Sequence, residues 1–303
     1  FRPLLAAYFP KRAAERFKSE IPQHRLAREI VATELVNRMV NLAGPLFAHR
    51  MKELASAPLW TAARAYALAE GAFGLEDLKA RISALDLKVP ADVQTGMIAD
   101  IGSLLRRLGL WFMVQLPAGA GIGETVAAYK GGYAALKGRF SGFVSPLEAR
   151  GVEARIAELA GAGVPHDLAE DVAILPLVGA APEIVLLSQS DKIPVVDAAS
   201  VYFGMGALVG LDRLRAAAHG IAAADHWDRL AIRRIVDDLY AAQRMLAASA
   251  RRKGGVAAWG KDRQDDIART QGFLDELERG TGPSVAKLAL ANSQIQKLAT
   301  TSD

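Results

Sequence analysis

Apolar residues recur along this chain at the three- and four-residue spacing of amphipathic helices, and glycine or proline interrupts the pattern at intervals. The segment from His24 to Ala43 shows the arrangement well. At 100° per residue, its apolar members share one side and are predicted to face a core. Gly44 is predicted to supply the C′ position of this helix, and Pro45 to open the next helix at its first turn. The apolar members are Val31, Leu35, Met39 and Leu42.

A long helix is predicted to begin after Asp225, because aspartate is a favoured N-cap residue. Arg233 with Asp237 and Arg234 with Asp238 stand four residues apart, and such pairs stabilise a helix by roughly a few tenths of a kcal/mol each. The apolar positions along this helix are Trp227, Leu230, Ile235, Leu239 and Leu246.

The densest apolar stretches run from Val172 to Leu187 and from Val195 to Leu211. Their periods are too mixed for surface helices, so both are predicted to be central helices of a bundle. Pro176 and Pro182 are predicted to kink the first of them.

The predicted fold class is therefore all-α, a multi-helix bundle, and β-branched runs bounded by turns are nearly absent. The glycine-rich joint from Pro117 to Gly123 is the best candidate boundary between two packed helical subdomains, residues 1–117 and 118–303. One continuous helical domain is the alternative. The pattern does not separate a bundle from an irregular solenoid.

Composition narrows the function classes. The chain has no cysteine, which excludes disulfides, thiolate metal sites and a cysteine nucleophile, and which fits a reducing compartment.

The longest uncharged windows, Leu108 to Gly123 and Ala198 to Leu211, are shorter than the ~18 residues of a membrane span. No signal peptide is visible, so we expect a cytoplasmic protein with no membrane partner. The first residue is Phe1 rather than methionine, which suggests a fragment, a cleaved product or a trimmed chain.

Charge argues against a nucleic-acid partner. The net charge is +4, with the two signs mixed along the sequence, and the densest basic run is only Arg251-Arg252-Lys253. A solvated face is the better interpretation of this run.

No catalytic, cofactor-binding or metal-binding residue is predicted in this segment. His166 stands four residues before Glu170, with Asp167 and Asp171 beside them, a spacing that could gather metal ligands on one helix face, but the helix dipole explains acidic residues at a helix start better. The glycine patterns fail the motif test, because neither GxGxxG nor GxxxxGKS/T is present and no strand precedes them. The patterns tested are Lys130-Gly131-Gly132, Lys137-Gly138 and Gly204-Met205-Gly206; the last is predicted to serve close helix packing.

A polar stripe on the His24–Ala43 helix is the candidate contact surface. Glu34, Asn37 and Asn41 stand at i, i+3 and i+7, within about 60° of one another. Asparagine is a poor residue for a helix interior, so two in register suggest hydrogen bonds to a neighbouring backbone or to another domain. Arg38 lies between this stripe and the apolar face, where its stem can pack and its head can pair with an acid. A tolerated solvent stripe is the competing interpretation.

A series of short runs recurs in a fixed order along the chain. The runs are 28–45 (REIVATELVNRMVNLAGP), Ala65-Tyr66 to Phe73-Gly74-Leu75, Ile82 to Val89-Pro90-Ala91, Val93-Gln94-Thr95, Val201-Tyr202-Phe203 to Leu211-Asp212-Arg213-Leu214, His226-Trp227, Asp237-Asp238-Leu239-Tyr240 and Gln243-Arg244. No run is a chemical motif, and the specificity lies in their number and order over roughly residues 8–246. Together these runs resemble the helical region that follows the catalytic domain in the large bacterial NAD-specific glutamate dehydrogenases.

The resemblance implies a non-catalytic C-terminal helical region of an enzyme that converts L-glutamate, NAD and water to 2-oxoglutarate, ammonia and NADH. It implies NAD in the parent enzyme, the catalytic domain of the same chain as a partner, a homo-oligomer, and a role in assembly or regulation. The family's catalytic lysine motif and dinucleotide-binding fold have no counterpart in these residues. A free-standing helical scaffold or interaction protein is the alternative, and an isolated enzyme with an unrecognised site is a third.

Overall fold

The computed structural model describes residues 2–117, 119–279 and 282–301, with the side chains of residues 2 and 3 excepted. These residues form helices joined by turns and contain no strand, which confirms the all-α, multi-helix class. Single 3₁₀ turns occur at Ile21–Gln23 and Phe140–Gly142.

The first eight helices in chain order are α1 (Arg2–Tyr8), α2 (Lys11–Arg16), α3 (Ala27–Ala43), α4 (Phe47–Ala55), α5 (Leu59–Phe73), α6 (Leu75–Ser83), α7 (Ala91–Gln115) and α8 (Ile122–Leu136). The remaining ten are α9 (Pro146–Gly161), α10 (His166–Ala173), α11 (Leu175–Val178), α12 (Ala181–Asp191), α13 (Val195–Val209), α14 (Leu211–Gly220), α15 (His226–Arg252), α16 (Val256–Asp262), α17 (Gln264–Glu278) and α18 (Val285–Thr300).

The chain divides into two compact units, unit 1 at Phe1–Lys130 and unit 2 at Gly131–Asp303. The division falls inside α8, downstream of the sequence-based boundary between residues 117 and 118. That boundary stays a prediction about which parts can fold independently.

Unit 1 is built around α5, which packs against α4 and α7. Small buried residues, Ala62, Ala65, Ala69 and Ala72, line one face of α5 and allow neighbouring helices to approach closely. At the end of α7, the rings of Trp111, Phe112 and Tyr129 pack edge to face with centroids 5.2–5.4 Å apart.

Unit 2 is organised by α15, which packs on α13 and α18. Gly206 lets α13 approach the side chain of Gln243 more closely than a Cβ would permit, and a Cβ on Gly204 would just touch Val256 at 3.4 Å. The expectation that this glycine pattern serves close helix packing is therefore confirmed at Gly206, whereas Gly204 leaves room for a Cβ. Asp225 caps α15 as predicted, its carboxylate accepting from the Asp228 N–H at 2.9 Å. The predicted Arg234–Asp238 pair forms at 3.1 Å.

Two local predictions were wrong. Pro176 and Pro182 do not kink one helix but stand in the first turns of α11 and α12, since a proline lacks the N–H that a continuous helix needs. Pro45 precedes α4 by two residues and lies in the turn before it. Trp227, the first apolar position of α15, is 75% exposed, because the first turns of this helix lie ahead of its buried stretch, which begins at Ile235.

Candidate interdomain surface

The polar stripe on α3 lies partly in solvent. Asn37 and Asn41 are exposed, and Glu34 and Arg38 are half-buried. The opposite side of α3 supplies the core contacts, with Met39 and Leu42 buried as predicted. Val31 and Leu35 are only half-buried, and Ile30 is the buried residue near the start of the helix.

The C-terminal end of α3 is tied to α6. The Lys79 ammonium on α6 donates to the carbonyl oxygen of Asn41 at 2.5 Å. Cations stabilise helix C-termini, so this contact fixes the end of the helix that carries the stripe. In the described part of the chain, the side-chain amides of Asn37 and Asn41 have no hydrogen-bond partner. Two pairs of amide donors and acceptors are therefore presented on a helix that is held in place.

An acidic corner lies beside Arg38, where α5 turns into α6 at Gly74 (φ +66°). The Tyr66 hydroxyl donates to Glu76 Oε1 at 2.6 Å, and the Glu76 N–H donates to Glu70 Oε2 at 2.9 Å. Glu70 thereby accepts one of the N–H groups that the first turn of α6 leaves without an intrahelical partner.

Burial and like charge perturb the Tyr66 hydroxyl and the Glu70 carboxyl of this corner. Burial raises the pKa of Tyr66, its hydrogen bond to Glu76 raises the pKa further, and the charge of Arg38 opposes the rise. Burial also raises the pKa of the Glu70 carboxyl to about 7, although the N–H of Glu76 favours the ionised form. The carboxylates of Glu76 and Asp77 add to this rise. The corner thus holds a carboxyl group that titrates near neutral pH.

Sequence reasoning missed this corner. Glu70 and Glu76 straddle Gly74, and the available signal was a pair of acids on either side of a helix-ending glycine. Arg38 was expected to meet an acid, and the structure brings it close enough to Tyr66 to influence that hydroxyl.

The His166–Glu170 spacing makes an exposed contact of 3.5 Å between Nδ1 and Oε1. Among the described residues, no group of three or more His, Asp and Glu side chains could hold a metal ion. Each residue of this pair is more than half exposed.

The Lys130-Gly131-Gly132 segment does not fit a phosphate loop. It lies inside α8, and a Cβ on Gly132 would collide with the side chain of Val185. Nicotinamide dinucleotides are held by a glycine-rich turn between a strand and a helix, and the described helices offer no such turn.

Over the described ranges, no single helix is both long and apolar enough to span a membrane. Two bent helix pairs reach the required length and composition when each pair is taken together: His166–Ala173 with Leu175–Asp191, and Val195–Val209 with Leu211–Gly220.

Comparison with known proteins matches nearly the whole chain to one family. The family model described as glutamate dehydrogenase, C-terminal, matches residues 1–297. The NAD-specific glutamate dehydrogenase of Mycobacterium tuberculosis is 30% identical over 310 residues, which cover 100% of this chain and 19% of that protein. The protein of the same name from Halomonas elongata is 31% identical over 96% of this chain and 18% of its own length. The Pseudomonas aeruginosa protein of that name is 28% identical over 97% of this chain and 19% of its own length. The chain thus spans less than a fifth of the length of these relatives.

Proposed function

Because the chain belongs to the glutamate dehydrogenase C-terminal family, we propose that it is the non-catalytic C-terminal helical region of an NAD-dependent glutamate dehydrogenase. The parent enzyme, in the cytoplasm, oxidatively deaminates L-glutamate to 2-oxoglutarate and ammonia while it reduces NAD. The helical region contributes to assembly of a homo-oligomer or to regulation of the catalytic domain.

The observation that carries this proposal is the extent of the match. Nearly the whole chain aligns with relatives that are about five times longer and are named for NAD-specific glutamate dehydrogenation. The chemistry of such an enzyme needs a dinucleotide-binding site, and the rest of the parent chain is where we place it. The helical region is then left with contacts to other domains or subunits.

The stripe of Glu34, Asn37, Arg38 and Asn41 is our candidate for a contact with the catalytic domain of the same chain. Its position supports this role, because α3 is held by the contact between Lys79 and Asn41 while the amides of Asn37 and Asn41 remain available. Amide pairs recognise backbone groups of a partner by donating and accepting at once.

The test of this surface uses the full-length parent enzyme with Asn37→Ala and Asn41→Ala together. We expect a loss of at least tenfold in glutamate-dependent NAD reduction or dissociation of the oligomer. The 303-residue chain alone is expected to become slightly more stable, because alanine is the better helix former. Arg28→Gln is the matched control, since Arg28 is exposed on α3 about 180° from Asn37.

Wild-type activity, stability and oligomeric state in the double variant would remove the stripe from the account. The family assignment would stand in that case, because it does not depend on α3.

A further inference from the structure

The turn between α6 and α7 holds a leucine in an unusual conformation. Leu87 has φ +61° and its side chain is 99% exposed. The Lys88 N–H donates to the Leu85 carbonyl at 2.8 Å, so Leu87 occupies the third position of a four-residue turn. A positive φ at that position normally selects glycine or asparagine.

The turn is held on both sides rather than loose. Leu85 and Ile82 are buried, and the Gln94 side-chain amide donates to the Ile82 carbonyl at 3.0 Å. Pro90 then sets the start of α7. The position of Leu87 is therefore fixed by its neighbours, and its own side chain contributes nothing to that anchoring.

Leu87 differs from the other two non-glycine residues at positive φ in the described part of the chain. Ser56 and Lys192 are polar and stand at the C-caps of α4 and α12, where a left-handed residue commonly ends a helix. Leu87 is apolar and stands at no cap. A single exposed leucine is ordinary, but one that is also held in a disfavoured backbone conformation costs stability without a return inside this chain.

We propose that Leu87 is an anchor residue that docks into an apolar pocket on the part of the parent dehydrogenase chain that precedes this helical region. The inference rests on the proposed function, since it requires that a longer parent chain exists. A rigid turn that presents one apolar side chain loses little conformational entropy on docking.

The length of the relatives favours this occupant. More than four-fifths of each related enzyme lies outside the matched region, so the same polypeptide supplies a large surface at high effective concentration. A second copy of this chain would be the competing occupant. It is an outcome of the test below.

The experiment places the photo-crosslinking amino acid benzoylphenylalanine at position 87 of the full-length native enzyme. Mass spectrometry then identifies the cross-linked peptides. We expect cross-links to residues of the same polypeptide outside this helical region. Position 192 is the matched control, because Lys192 is also exposed and also at positive φ. Cross-links at position 87 that reach only a second copy of the helical region, or that do not exceed those at position 192, would overturn the proposal.

A stability measurement separates docking from a role inside this chain. Leu87→Asn removes the apolar side chain and suits the left-handed conformation. In the 303-residue chain we expect Tm to be unchanged or raised by about 1–3 °C. In the full-length enzyme we expect amide exchange of residues 84–89 to accelerate at least tenfold. A lowered Tm of the 303-residue chain, or unchanged exchange in the enzyme, would contradict the inference.

The failures of the two proposals are distinguishable. A native protein no heavier than this chain would contradict the proposed function itself. A heavy native enzyme without a cross-link from position 87 would contradict only the docking role of Leu87.

Discussion

The two units of this chain use their polar residues in opposite ways. In unit 2, a buried network closes on itself: Arg215 donates to Glu148 at 2.8 Å and to Gln243 at 2.6 Å, and its guanidinium lies 5.3 Å from the ring centroid of Tyr240. Gln243 in turn donates to the Tyr202 carbonyl at 2.7 Å. In unit 1, the notable polar groups face outward on α3 or sit in an acidic corner at the cost of a raised pKa.

Glu148 shows how completely the network of unit 2 is used. One carboxylate oxygen accepts from the Ser145 N–H and closes the capping box of α9, while the other accepts from Arg215. Burial opposes the charge of Arg215, and Glu148 with the two tyrosines outweighs that effect and raises the pKa of Arg215. The polar network of unit 2 is therefore satisfied internally. In unit 1, the exposed amides of α3 and the strained turn at Leu87 have no such internal role, and they are the basis of the contacts that we propose with the rest of the parent chain.

The largest effect should come from breaking the buried network. Arg215→Ala leaves the carboxylate of Glu148 buried without its cation, so we expect a loss of about 3–5 kcal/mol in the free energy of unfolding. Urea unfolding of the 303-residue chain measures this loss. Arg213→Ala is the control, because its partners Asp275 and Glu278 are about half exposed and stay solvated without it, so the loss should be no more than about 1 kcal/mol. Equal losses in the two variants would contradict the contrast.

A smaller effect tests the close packing in unit 2. Gly206→Ala would push the Gln243 side chain away from its partners, and we expect a loss of about 1–3 kcal/mol. Gly204→Ala is the matched substitution two residues away, where a Cβ makes an ordinary contact with Val256 at 3.4 Å. It should be neutral or stabilise the helix by up to ~1 kcal/mol. Thermal unfolding of the two variants side by side measures the difference. If Gly206→Ala left stability unchanged, the Gln243 side chain would not be held in place by its partners.

The smallest effect concerns pH and unit 1. The Glu70 carboxyl holds its proton more tightly in the folded chain (pKa about 7) than at its ordinary value of 4.5. Its contribution is therefore most favourable below pH 4.5 and is progressively lost as pH rises to about 7. Glu70→Gln should flatten that part of the curve of unfolding free energy against pH, since the amide oxygen can still accept from the Glu76 N–H.

Amide exchange of α5 and α6 in the same pH series locates the effect in unit 1. A curve that Glu70→Gln leaves unchanged would show that the carboxyl titrates at its ordinary value. Glu158→Gln is the control, because it changes an exposed carboxylate and should leave the dependence of unfolding free energy on pH unchanged. Arg244→Gln would not serve, because its partner Glu183 is buried.

Local patterns in the sequence predicted what depends on neighbours along the chain. The burial of Met39 and Leu42 followed from helical spacing, and the cap at Asp225 followed from residue type. The exposure of Trp227 could not be predicted, because periodicity identifies a face and not where along a helix its burial begins. Pro176 was misjudged because a kink and a helix break have the same sequence signature.

Contacts between distant segments and the strained turn lay beyond local patterns. Arg215 and Glu148 are 67 residues apart, so nothing in either segment indicates the other. The turn at Leu87 contains no glycine or asparagine at its strained position, so turn-residue rules miss it. The α3 stripe could be proposed because two asparagines in helical register are unusual, but the sequence does not identify the residues that it is proposed to contact.

The central claim is that this helical chain is one region of a large NAD-dependent glutamate dehydrogenase. The most direct test is an antibody raised against the 303-residue chain, with the mass of the native protein that it recognises in the source cells measured under denaturing conditions. The account predicts a band about five times heavier than 32.3 kDa, and glutamate-dependent NAD reduction in the captured material. A band near 32.3 kDa without that activity would contradict it and favour a free-standing helical scaffold.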